Sequence, residues 1–143
     1  MTVFVDTNVL VYSRDATEPN KRARAIAWLQ ALWRSGSGRV SFQVLQEYYV
    51  TVTTKLRALM PRADARADVR DLLAWRPIGI DERILADAWE VQDRFRLSFW
   101  DALIVASAQA SGSDRLLTED LSDGQALDGL IVVDPFRHEP GSL

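Results

Sequence analysis

The sequence predicts an α/β fold, a three-layer α/β/α sandwich around a central parallel sheet. Three observations predict it. Short apolar, β-prone runs alternate with longer segments of helical periodicity. The connections between successive strands are long enough to hold helices, which is what parallel neighbours require. No repeat, low-complexity stretch or linker interrupts the alternation, so residues 1–137 read as one domain and residues 138–143 as a flexible tail.

Val3-Phe4-Val5 is short, apolar and β-prone, and reads as a buried strand that stops at Asp6. Glu18-Pro19-Asn20 turns the chain. Ala23, Ile26, Ala27, Leu29 and Trp33 then recur at helical spacing until Ser35-Gly36-Ser37-Gly38 ends the helix. Residues 39–42 form the second strand candidate. Residues 44–59 read as a helix with Leu45, Tyr48, Tyr49, Val52 and Leu56 on one side. Pro61 opens another helix, with Arg62, Arg66 and Arg70 four apart on one face. Asp64, Asp68 and Asp71 interleave with these arginines, which predicts a solvated, ion-paired surface. Ile78-Gly79-Ile80 is a third strand candidate. Asp81 and Ser98 are cap residues for helices over 82–95 and 99–110. Residues 116–118 and 130–133 supply the last two strands.

Composition narrows the chemistry. Of 143 residues, 48% are hydrophobic and 26% charged, enough apolar surface to close one core. The absence of cysteine excludes a disulfide scaffold, a zinc–thiolate site and a cysteine nucleophile. The one histidine, His138, lies in the expected tail. No stretch approaches the ~20 apolar residues of a membrane span, and no basic residue precedes the first apolar run as it would in a signal peptide. The expectation is a soluble cytoplasmic protein without a membrane partner. A net charge of −3 speaks against nucleic acid, but the charge is unevenly placed. Residues 1–76 hold 12 basic and 7 acidic side chains, and residues 77–143 hold 5 and 13.

In parallel α/β sheets, ligands bind beyond the carboxyl ends of the strands. Asp6 ends the first strand, and residues 116–118 run into Glu119-Asp120. Glu47 falls just inside the helix after the second strand, and Asp101 in the first turn of an apolar helix. Four acids distant in sequence then converge. Converging carboxylates repel one another unless a cation neutralises them, and hard divalent cations prefer oxygen ligands. With no cysteine and one tail histidine, the donor set points to Mg²⁺ or Mn²⁺ rather than zinc. Such a site supports hydrolysis of a phosphodiester without a side-chain nucleophile. Each acid also has a plainer reading: Asp6 as a turn cap, Glu47 as a solvated helix residue, Asp101 as the partner of Ser98 in a capping box, Asp120 as part of a surface turn with Asp123-Gly124. Arg14, Lys21, Arg22 and Arg24 lie toward the same end and are candidate nucleic-acid contacts.

At these residues the sequence resembles the PIN-domain family, and within it the VapC toxins. Val3-Phe4-Val5-Asp6-Thr7-Asn8-Val9-Leu10 is similar to the family's opening strand and first acid, and Gln46-Glu47-Tyr48-Tyr49 to its second-acid motif. The run from Ser98 to Ala108 resembles the third-acid helix, Leu116-Leu117-Thr118-Glu119-Asp120-Leu121 the fourth, and Val133-Asp134-Pro135-Phe136 a closing segment. The resemblance implies a five-stranded parallel sheet and a metal-dependent endoribonuclease, the toxin of a type II toxin–antitoxin system. It implies Mg²⁺ or Mn²⁺ held by Asp6, Asp101 and Asp120, with Glu47 completing the site directly or through water. Asn8 and Thr118 would orient the carboxylates. It further implies a homodimer, a VapB-like antitoxin covering the site, and a structured RNA as substrate. The fourth-acid stretch holds Glu119, Asp120 and Asp123, of which Asp120 is the favoured ligand. Two other functions compete: an aspartyl-phosphate phosphotransfer protein, whose chemistry uses a late lysine where this sequence has only Lys21 and Lys55, and a PIN-like RNA-processing or non-catalytic binding module.

Overall fold

A computed structural model describes residues 1–143. The elements run β1 (Val3–Val5), α1 (Thr7–Tyr12), α2 (Pro19–Ser35), β2 (Gly38–Arg39), α3 (Phe42–Thr54), α4 (Arg62–Leu72), α5 (Glu82–Phe95), α6 (Phe99–Ala110), β3 (Arg115–Leu117), β4 (Ala126–Leu127) and β5 (Leu130–Val133). They build an α/β fold on one five-stranded sheet of order β2-β1-β3-β5-β4. β1 lies parallel to both β2 and β3, and β3 lies parallel to β5. Phe4, Leu116 and Val132 stand side by side across the centre. All three residues of β1 are buried, so both faces of the sheet are covered.

Most strand and helix positions agree with the periodicity. Three strand expectations need correction. Residues 78–80 form no strand, and only Ile78 bridges to Ser41. The fifth strand is β4, which pairs antiparallel with β5, so the sheet is mixed rather than all parallel. Its cause is local. Asp128 and Gly129 adopt φ of 51° and 89°, the left-handed pair that a two-residue hairpin needs. The expected second strand is also shorter, because Ser41 leaves the sheet to cap α3, its side chain accepting from the Val44 amide.

One core of buried side chains joins the sheet to α1, α2, α3 and α6. α6 is apolar on all sides, with Ala102 to Ala108 buried without a break, as expected of a helix enclosed between layers. Ile84 and Ala88 of α5 pack on Leu103 and Ala106 to cover its outer side. At the closing end, Trp28 of α2 donates its indole N–H to the carbonyls of Pro135 and His138, both at 3.0 Å. The segment 138–143, expected as a tail, is thus held at its first residue. No helix is long and apolar enough to cross a membrane.

Candidate active site

The site forms where β1 and β3 end. Asp6 follows β1, and its amide donates to the Leu117 carbonyl at 3.1 Å, which ties the two strand ends together. Only 6% of Asp6 is exposed. One carboxylate oxygen accepts from the Thr7 amide at 2.7 Å. The other accepts from the Thr118 hydroxyl at 2.9 Å and from the Asn8 amide at 3.4 Å. The same Asn8 nitrogen lies 3.1 Å from Asp120 and 3.0 Å from the Thr118 hydroxyl. The Asp120 amide donates back to that hydroxyl at 3.1 Å. Asn8 and Thr118 therefore hold Asp6 and Asp120 in one hydrogen-bonded network, through the Thr118–Asp6 and Asn8–Asp120 bonds, each between residues 112 positions apart.

Glu47 reaches the network from α3. Its oxygens accept from the Thr7 hydroxyl at 3.1 Å and the Gln43 amide at 2.6 Å. Asp101 sits in the first turn of α6. Its backbone N–H bonds the Ser98 side chain at 3.1 Å, while its carboxylate makes no return bond and stays free of the cap. Electrostatics tie the four together. Burial, with repulsion from Asp120 and Glu47, raises Asp6 from 3.8 to about 7 despite the bonds from Thr7 and Thr118. Asp120 is also raised, by desolvation and then by Asp101, Glu119 and Glu47, against the lowering effect of Asn8.

The three acids of the fourth-acid stretch have different neighbours. Glu119 pairs with Lys21 at 2.8 Å. Asp123 accepts from the Asp134 amide at 2.9 Å and meets the His138 ring at 2.8 Å, and these contacts hold its carboxyl below the usual range. Of the three carboxylates, only that of Asp120 joins the Asp6 network; Glu119 meets it through its backbone amide, which donates to Asn8 at 3.5 Å. The four candidate RNA cations are mostly engaged within the protein. Arg14 grips Asp68 with two bonds of 2.9 and 2.6 Å. Lys21 holds Glu119 and lies 4.6 Å from the Tyr12 ring centre. Arg24 donates to the His138 carbonyl at 2.7 Å. Only the exposed Arg22 has no ion pair. Two site residues went unread in sequence, Thr7 and Gln43, both of which tether Glu47. The i,i+4 spacing of Gln43 and Glu47 was the available signal.

The donor set is all oxygen, and no cation of the chain balances Asp6 and Asp120, which suits a hard divalent ion. As arranged, no three acids surround a common point closely enough to hold an ion. The Thr7, Asn8 and Thr118 bonds fall on both oxygens of Asp6 and on one of Asp120.

The PIN domain model matches residues 3–122. This chain belongs to the PIN domain family. Solved structures share the fold at low identity. A toxin–antitoxin complex from Klebsiella pneumoniae aligns over 97% of this chain and 99% of its own, with a TM-score of 0.65 and 22% identity. VapBC2 from Rickettsia felis, bound to a DNA fragment from its promoter, covers 92% and 97% with a TM-score of 0.61 and 16% identity. Mycobacterium tuberculosis VapC20, described as a toxin that cleaves the sarcin–ricin loop, covers 80% and 87% with a TM-score of 0.57 and 22% identity. No curated protein matches by sequence. At these identities the likenesses speak for the fold.

Proposed function

We propose that this PIN-domain protein is a Mg²⁺- or Mn²⁺-dependent endoribonuclease, the toxin of a bacterial toxin–antitoxin pair working in the cytoplasm. One observation carries the reading: Asn8 and Thr118 draw Asp6 and Asp120 into a single hydrogen-bonded network, within electrostatic range of Glu47 and Asp101. Asp6, Asp101 and Asp120 would hold the cation. When bound, it offsets the charge of a phosphodiester and acidifies the attacking water. The chain's own groups do the rest. The Asn8 amide and Thr118 hydroxyl fix the carboxylates in direction, a role that commonly carries 10- to 100-fold in affinity or activity. Glu47, steadied by Thr7 and Gln43, keeps unshared electron pairs with which to orient the water and accept its proton. Solved neighbours that are toxin–antitoxin assemblies support a VapB-like antitoxin as partner, and the homodimer rests on the family resemblance.

The test is cleavage of an RNA hairpin. Wild type is expected to cut it with Mg²⁺ or Mn²⁺, and EDTA to stop the reaction. Asp6→Ala and Asp101→Ala are expected to be inactive and folded. An Asp6→Ala protein that cuts at the wild-type rate overturns the reading.

A further inference from the structure

The α4 helix separates its charges by edge. Asp64, Asp68 and Asp71 recur at one helical phase, and Arg62, Arg66 and Arg70 at another. The acidic edge turns toward α1 and α2. Asp68 receives Arg14 and the Tyr48 hydroxyl, and Asp71 lines a groove with Arg14 and Arg22. The arginine edge is left without a counter-charge: no ion pair of the molecule involves Arg62, Arg66 or Arg70. The ion-paired surface that their interleaving with the aspartates suggested does not form.

Arg66 and Arg70 border a second groove of about 350 Å³ between α3 and α4, lined also by Phe42, Gln46, Tyr49 and Val69. Arg66 donates to the Tyr49 hydroxyl at 3.2 Å, and its guanidinium lies 5.9 Å from that ring's centre. Phe42 is 45% exposed at the groove's edge. Gln46 directly precedes Glu47, so one helix serves both the acids and the groove. The lining matches the parts of a nucleotide. Guanidinium groups without an ion pair suit phosphates, aromatic faces suit bases, and an amide suits a base edge.

We infer that the α3–α4 groove binds a single-stranded stretch of RNA substrate, with Arg66 and Arg70 on the phosphates and a base against Tyr49 or Phe42. The inference rests on the ribonuclease reading and adds a second, metal-independent point of contact. The full chain is titrated in EDTA against a fluorescein-labelled hairpin with a single-stranded extension, and binding is followed by anisotropy. The double variant Arg66→Ala/Arg70→Ala is expected to bind about tenfold more weakly at low salt. Its salt slope should fall by about 1.4, from about 0.7 per phosphate contact. With Mg²⁺, its KM should rise while kcat stays near wild type. Arg34→Ala, at an exposed site on α2, should change neither. Affinity of the double variant within twofold of wild type, with wild type still cutting RNA, overturns the groove alone. Equal losses in Arg34→Ala also overturn it, since binding would then be general electrostatics. Unchanged RNA affinity with lost binding to a polyglutamate peptide would reassign the groove to an acidic protein segment. A wild type that neither binds nor cuts RNA removes the ribonuclease reading and this inference with it.

Discussion

Asp6 is asked to be two things at once, a structural group at the end of β1 and an anion in a crowded acidic site. Its carboxyl rises from 3.8 to about 7 because burial and the neighbouring carboxylates disfavour the charge. Below about pH 4 it is protonated in both the folded and the unfolded chain, and the shift costs nothing. As pH climbs toward 7 the unfolded chain ionises first, and the metal-free fold loses stability across that window; above it the penalty is constant. Asp6→Asn should therefore raise the Tm of the protein in EDTA at pH 8, with a gain that shrinks toward pH 4. A Tm difference independent of pH would contradict the shift. Asn8 makes the opposite case: half-buried, it bonds Asp6, Thr118 and Asp120 but packs little. Asn8→Ala should lower kcat/KM and Mn²⁺ affinity by about 10- to 100-fold with a small change in Tm. Calorimetric titration beside the cleavage assay checks both. The sequence exposed all four acids, because each follows or opens a recognisable element. It favoured Asp120 but left open whether Glu119 or Asp123 replaces or joins it. That choice depends on Lys21, 98 residues away from Glu119, and on His138 beside Asp123.

Among the elements, legibility followed length and isolation. The 14-residue α5 and 12-residue α6 were readable to the residue, since each has a polar cap and a sustained apolar face. The six-residue α1 went unread because it starts directly after Asp6 with no spacer and carries too few turns to show a period. The β4–β5 hairpin was signalled by Asp128-Gly129, but a two-residue strand offers no alternation to go with it. Nor does any pattern reveal the close approach at β2. A Cβ on Gly38 would stand 2.6 Å from the Trp75 ring, which also packs on Trp33 at 4.9 Å. The ring cannot withdraw without opening that corner. Gly38→Ala should cost about 1–3 kcal/mol in a urea melt, and its cleavage activity at 25 °C should survive, because the corner does not touch the acids. A melt matching wild type would show that the ring has room to shift.

For the molecule as a whole, the uneven charge has a structural meaning. The acid-rich half of the chain, residues 77–143, supplies Asp101 and Asp120, and the basic half supplies Asp6 and Glu47. Folding gathers the four into one place, so the native state concentrates repulsion that the unfolded chain disperses. A divalent ion that binds only the gathered acids stabilises the fold by mass action, about 2.7 kcal/mol at a hundredfold excess over Kd. For a chain of 143 residues that corresponds to a rise in Tm on the order of 8 °C. The rise should be saturable in Mn²⁺, reversed by EDTA and largely absent in Asp6→Asn, whose metal-free Tm starts higher. It needs no RNA and no turnover, so it examines the cation separately from the cleavage reaction. Because the Asn8 amide bonds both Asp6 and Asp120, Asn8→Ala should show a changed midpoint for Mn²⁺ rather than an unchanged one. A wild-type Tm that stays within about 1 °C of its EDTA value at saturating Mn²⁺ would mean that the acids hold no ion.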